Sequence, residues 1–341
     1  MKKVAMSHPD PDLAPPTPVL DSGETGTRSL RTYLSSMRIY PAQAWKAAIA
    51  CVLAMALSPA ALVATITFLV GPISADYGWS RAETLSVLSL PLLAGPLMLP
   101  LAGRWTDRWG ARAVAIPAML LYGLTTAAVM AAGGDRLLLI LPLLGSTVFG
   151  YFATMGVVYK VVSAWFTEHR GIAFSLLIGG SSSLAGAVLA PLCETSIDAV
   201  GWRGTYLLLG AAILLIGFPA QIFLLSEPEE VVRARGTGRA GGAEEPAPEL
   251  PGAPMGVALR SRTWIFIMAI LGLGASSIVS VRQNAVPLFG ERGYSEDLVA
   301  FSLSALLISS IVGQIVAGLV LDRARTPGPS SSSPPASRWA C

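Results

Sequence analysis

Charge is scarce in this chain. Asp, Glu, Lys and Arg make up 13% of its 341 residues, against about 25% in a soluble globular domain. That deficit, with 53% hydrophobic residues, excludes an ordinary water-soluble fold. Cysteine is almost absent: Cys51, Cys193 and Cys341 give no pairing pattern and no redox motif. The two histidines, His8 and His169, are too few and too scattered to hold a metal. No G-x-x-x-x-G-K-[ST] loop is present, so the chain is not expected to hydrolyse ATP, and Gly272-Leu273-Gly274 does not follow a strand, which argues against nucleotide binding. These absences predict neither a cofactor nor an enzyme.

Long uncharged runs take the place of what is missing. Eight stretches of 19 or more residues carry no Asp, Glu, Lys or Arg: 47–75, 84–102, 113–134, 137–159, 171–193, 204–226, 263–281 and 298–321. Each can cross about 30 Å of hydrocarbon as a helix. None alternates apolar with polar residues, so barrel strands are excluded. An even number of spans puts both termini on one side. The tails and the loops expected on that side hold 19 of the 24 Lys and Arg, leaving Arg81, Arg136, Arg203, Arg292 and Arg282 elsewhere. The positive-inside rule then predicts an integral protein of the plasma (inner) membrane with cytoplasmic ends. The net charge of +3 reads as a topology signal and predicts no nucleic-acid partner. The expected surroundings are lipid bilayer.

The expected organisation is an N-terminal tail (1–43), six spans (44–226), a charged and Gly/Pro-rich linker (227–262), two spans (263–325) and a disordered tail (326–341). Prolines 9, 11, 15, 16 and 18 argue against a folded first half of the N-terminal tail. Leu30, Tyr33, Leu34, Met37 and Tyr40, beside Arg28, Arg31 and Arg38, fit either a surface-lying amphipathic helix or an unstructured stretch. Two segments repeat at an offset of 215 positions: Gly78 pairs with Gly293, Ser80 with Ser295, Gly103 with Gly318, and Asp107-Arg108 with Asp322-Arg323. Internal repeats of this kind build many carriers. If the repeat were complete, about four further spans would follow Asp322, and the chain is therefore expected to be a truncated or frameshifted form.

The 2-3 loop, Gly103-Arg104-Trp105-Thr106-Asp107-Arg108-Trp109-Gly110-Ala111-Arg112, resembles the G-x-x-x-D-R-x-G-x-R signature of the major facilitator superfamily. Gly103, Asp107, Arg108, Gly110 and Arg112 carry the resemblance, with Arg104 as an added basic position. It implies an all-α major facilitator fold with a complete six-helix N-terminal bundle and a partial, two-helix C-terminal bundle. It also implies a carrier working by alternating access, in which this loop latches the cytoplasmic side and holds the outward-open state. By pseudo-symmetry Gly318, Asp322 and Arg323 form the second latch motif. Asp322 would lie near His169 and Arg170, and Asp107 towards an eleventh span that the chain lacks. The alternative reading of the loop arginines is that they only fix topology. Trp165, Phe166, Arg170, Gly171 and Ala173 resemble the W-F-x-x-x-R-G-x-A pattern of the monocarboxylate and oxalate:formate porter branch, which implies an organic-anion substrate with a coupling proton or a counter-anion.

Substrate-binding candidates are Arg282, Asn284, Tyr151 and Thr154. Arg282 interrupts an apolar span, where a charge either serves a pathway or snorkels to water. At about 27 Å along the helix from Trp264 it could clasp a carboxylate or lie in an outer vestibule. Tyr151, Thr154, Thr65, Thr67 and Gln314 are polar groups in spans, each needing a helix partner or a wet cavity. Lys160 and Glu194 are expected at the interface. Ser182, Gly186 and Ala190, and Ser309, Gly313 and Ala317, form stripes suited to close helix packing or sliding. No span holds a deep carboxylate, so antiport stands beside symport. The rival expectation is a transport-incompetent fragment or an oligomerising scaffold.

Overall fold

A computed structural model describes residues 40–167, 169–240, 261–262, 264–270, 272–274, 276–277, 280, 292–293 and 296–323. Most of the amphipathic candidate segment, Arg282 and Asn284 lie outside the described residues, as do the Thr67 and Arg323 side chains. Among the described residues all regular structure is helical.

The helices are α1 (Ala42–Ala56), α2 (Pro59–Leu62), α3 (Ile66–Tyr77), α4 (Arg81–Ser89), α5 (Ala94–Trp109), α6 (Ala111–Ala128), α7 (Arg136–Ala153), α8 (Met155–Trp165), α9 (Arg170–Phe174), α10 (Ser181–Ala212), α11 (Phe218–Phe223), α12 (Glu229–Ala240) and α13 (Glu296–Arg323). Short 3₁₀ or π turns join several of them end to end. Five helical stretches are thereby long and apolar enough to cross a membrane: Ala42–Leu62, Arg81–Trp109, Ala111–Ala131, Arg136–Trp165 and Arg170–Phe223. The last bends back at Gly201, whose φ of 72° and ψ of 173° leave the helical region. Trp264–Gly274 and Ser309–Val320 are shorter apolar helices. Large apolar side chains such as Leu93, Leu97, Leu141, Leu215 and Phe223 face outward, which lipid tolerates and water does not.

The 215-residue offset survives in the backbone. Gly78 ends α3 with φ 66° and Gly293 precedes α13 with φ 78°. Both lie in the left-handed region, where a side chain is strained and glycine is not. The two copies therefore share a turn as well as letters.

The first span is broken, and its sequence says where. Proline disfavours a helical residue before it, and Ser58, before Pro59, is extended at φ −69° and ψ 157°. The break frees carbonyls inside an apolar core, and two of them find side-chain donors. The Tyr122 hydroxyl donates to the Leu57 oxygen at 2.7 Å, and the Ser58 and Ser182 hydroxyls donate to the Met55 oxygen at 2.7 and 3.3 Å. Ser182, from the first small-residue stripe, thus packs on the first span. At the opposite end of the bundle from Asp107, Arg203 pairs with Asp76 at 2.5 Å and lies over the Trp202 ring, while the Tyr77 hydroxyl donates to Ala132 O. This ties three hairpin ends together.

Tyr122 is fully buried, so removing its hydroxyl orphans the Leu57 carbonyl. Tyr122→Phe is expected to lower stability by about 1–3 kcal/mol, read as a lower midpoint of thermal unfolding in detergent. An unchanged midpoint would mean that another donor reaches that carbonyl.

Candidate functional site

The first Asp-Arg motif sits between two helices, and Asp322 of the second lies against the start of another. At such junctions backbone groups lack partners, four N–H at a start and four C=O at an end. In the first copy α5 ends at Trp109, and Gly110, at φ 93° and ψ 157°, turns the chain straight into α6. Glycine has no side chain with which to cap α6. The cap comes from far along the sequence: Glu227 Oε2 accepts from Ala111 N at 2.9 Å. Arg235 holds that carboxylate in a fork, Nη1 to Oε2 at 3.0 Å and Nη2 to Oε1 at 2.7 Å, and its Nε donates to Asp107 O at 3.1 Å. The Glu227 bond, foremost, raises the Arg235 pKa above its ordinary value, which keeps the guanidinium charged. Arg112 Nη2 donates to Ile222 O at 2.7 Å, capping the end of α11.

The Asp107 side chain pairs with Lys160 Nζ, which also donates to Gly103 O at 2.6 Å. With the aspartate side chain 72% exposed, this ion pair is worth at most about 1 kcal/mol. The Glu227–Arg235 fork, at 11% and 20% side-chain exposure, is far better sheltered. The first motif is therefore pinned by residues between Gly103 and Arg235. Gly103, Asp107, Gly110 and Arg112 meet there, while Arg108 lies over the Trp109 ring at 5.8 Å.

The second copy behaves differently. Asp322, at the end of α13, reaches the first turn of α9: Oδ1 accepts from Gly171 N at 2.6 Å and Oδ2 from Ile172 N at 3.0 Å. One carboxylate thus occupies two free donors at a positive helix end, which combines charge-assisted hydrogen bonding with the helix dipole. Glycine at 171 is a steric requirement, since a Cβ would lie 2.7 Å from Asp322 Oδ1 and closer still to the Gly318 carbonyl. Gly318, one turn before Asp322, is buried against the Gly171 carbonyl and Ser175 Oγ. His169 is buried beside this start, its Nδ1 2.9 Å from the Tyr40 hydroxyl.

The remaining candidates are dispersed. Thr154 is fully buried, bonds Gly150 O at 2.7 Å and marks the break between α7 and α8. Tyr151 packs its ring on Gly95, and Thr65 bonds Leu62 O at 2.8 Å. In α13 the stripe Ser309, Gly313 and Ala317 is exposed; the neighbouring row Gln314, Gly318, Asp322 makes the contact. Glu227, Arg235 and the structural part of Lys160 are missing from the sequence-based set. A signal for the first two exists: Pro228 followed by Glu229 and Glu230 is a helix start, so the stretch expected as solvated linker contains α12.

The sequence profile of the Major Facilitator Superfamily matches residues 15–332. The chain belongs to this superfamily. Its members' transport role and the apolar helices make it an integral membrane protein of a transporter family. Among curated proteins, human "Monocarboxylate transporter 11" is 30% identical over 135 residues, 40% of this chain and 28% of that protein. "MFS transporter asaE" of Aspergillus flavus is 28% identical over 233 residues, 66% of this chain and 48% of that protein. An "Uncharacterized MFS-type transporter YcxA" of Bacillus subtilis is 31% identical over 81 residues, 23% of this chain and 19% of that protein. The chain matches less than half the length of each.

If Glu227 and Arg235 hold α12 against the 2-3 loop, Glu227→Gln should release it. Trypsin is then expected to cut after Arg233 and Arg235 about tenfold faster, from a weakened charge-assisted pair of about 1.5 kcal/mol. Parental cleavage rates would show that α12 is held by other contacts.

Proposed function

We propose that this chain acts as a secondary carrier for small organic anions, monocarboxylates foremost, and that it works by alternating access between two bundles. In this reading residues 44–226 form a six-helix bundle, residues 263–325 begin a second, and both termini are cytoplasmic, as the basic loops suggest. The observation that carries it is the Asp322 carboxylate on the Gly171 and Ile172 N–H groups. It joins the second copy of the repeat to the start of α9, at the end where the basic residues gather. Such a contact can be made in one state and broken in another, as a latch on the cytoplasmic side requires.

The first copy supports the same reading by contrast. Asp107, Glu227, Arg235, Arg112 and Lys160 bind loop, span ends and α12 into one unit, so that the bundle can move as a body. The substrate class rests on the Trp165, Phe166, Arg170, Gly171, Ala173 pattern and on similarity to a protein named as a monocarboxylate transporter. Arg282 and Asn284, with Tyr151, are the candidate contacts for a carboxylate. Coupling is either to a proton moving with the anion or to a counter-anion.

Purified 341-residue chain in proteoliposomes is expected to take up labelled pyruvate with saturable kinetics. Asp322→Asn should lower the initial rate about tenfold at equal protein content, since a hydrogen bond to a charged group is worth about 1.5–3 kcal/mol. Absence of saturable flux for a panel of labelled organic anions would contradict the carrier reading and favour a scaffold.

A further inference from the structure

The contact that Asp322 anchors runs further along both helices than the latch motif. Read backwards from the end of α13, residues 322, 318 and 314 fall one helical turn apart on one face. Read forwards from the start of α9, residues 171, 175 and 179 do the same. The rows meet in antiparallel order: Asp322 on Gly171, Gly318 on Gly171 and Ser175, and Gln314 on Gly179. Between Ser175 and Gly180 the backbone is a π-turn, so its N–H groups are engaged within the helix.

Gln314 is the odd member of this row. Its Nε2 donates to Ser310 Oγ at 3.3 Å, but its Oε1 is shut off from solvent and has no donor among the described residues. The amide lies against Gly179, where a Cβ would come within 3.1 Å of Gln314 Cδ and closer still to Oε1. Glycine leaves room for the amide and offers it no hydrogen bond. A buried acceptor without a partner forfeits its hydration and receives nothing in exchange. Separation of the two helices would return that oxygen to water, whereas an apolar side chain of similar length would lose nothing on closure.

We propose that Gln314 is a release element built into this seal, set about 12 Å along α13 from the Asp322 anchor. The anchor draws the helices together and the orphaned amide oxygen works against it. The seal is therefore held weaker than the same geometry with an apolar residue at 314, and it opens more often. The proposal deepens the carrier reading for its functional meaning, but the physical claim concerns one interface and needs no substrate. A substrate-contact role for Gln314 in this state is disfavoured, because the space before its oxygen is filled by Gly179.

The Gly171 and Ile172 amide hydrogens are themselves the anchor's donors, so their exchange with deuterated solvent reports how often the seal opens. The experiment measures that exchange by mass spectrometry on the full 341-residue chain in lipid nanodiscs, with the buried segment 157–162 as the fold control. Gln314→Met is expected to slow exchange at residues 171–172 about tenfold, with 157–162 unchanged. Gln314→Leu should act in the same direction, and Asp322→Asn should speed exchange at the same two residues. Parental or faster exchange in both apolar variants overturns the proposal. Loss of protection at 157–162 in both also overturns it, since the amide would then be supporting the fold. Because no flux is measured, a failed transport assay leaves this result readable, and the converse holds as well.

Discussion

A carboxylate at a membrane boundary must be hydrated, paired with a cation or given N–H donors, and the start of a helix supplies donors without a counter-charge. Asp322 accepts from two such donors, the Gly171 and Ile172 N–H groups. Much of the surrounding arrangement follows from that choice. The two helices must approach closely enough for a short side chain to reach backbone, so glycine stands at 171 and 318, with serine at 175. Close approach in turn brings Gln314 against Gly179, and the same geometry that strengthens one end of the contact strains the polar balance of the other.

The two copies of the repeat solve one problem in two ways. Asp107 occupies the position equivalent to Asp322 but finds Lys160, and its helix junction is capped by Glu227 and Arg235. That network has several members, all between Gly103 and Arg235. The Asp322 carboxylate instead accepts from two backbone N–H groups, those of Gly171 and Ile172. Sequence symmetry thus coexists with different partners, side-chain ion pairs at one junction and backbone N–H groups at the other.

Much of this was legible before any coordinates. Charge depletion and uncharged runs of 19 or more residues dictate membrane helices, and the offset linking Gly78 to Gly293 holds in the backbone φ angles. The start of the fifth span follows as the place for Asp322, because the repeat and the motif agree there. Other features were hidden for physical reasons. The break at Ser58 was signalled by Pro59, but its cost is met by Tyr122 and Ser182, which are far away in sequence. Glu227 and Arg235 looked like solvated charges, because a cap delivered across 116 residues leaves no local pattern. The contacting row of α13 lies one residue from the small-residue stripe that drew attention, and only helix phase decides between them. Arg282 and Asn284 lie outside the described residues, so the anion-binding end of the account rests on sequence.

The central claim is that the Asp322 carboxylate holds the end of α13 to the start of α9. Spin labels on cysteines at Gln43, at the start of α1, and Val320, in α13, report the separation of these two helices near that carboxylate, since both positions are exposed. The pulsed dipolar distance distribution between them, compared with and without Asp322→Asn in the same chain, is the direct measurement. The account predicts one short, narrow population when Asp322 is present and a second, longer population in the Asp322→Asn variant. Identical distributions would contradict it.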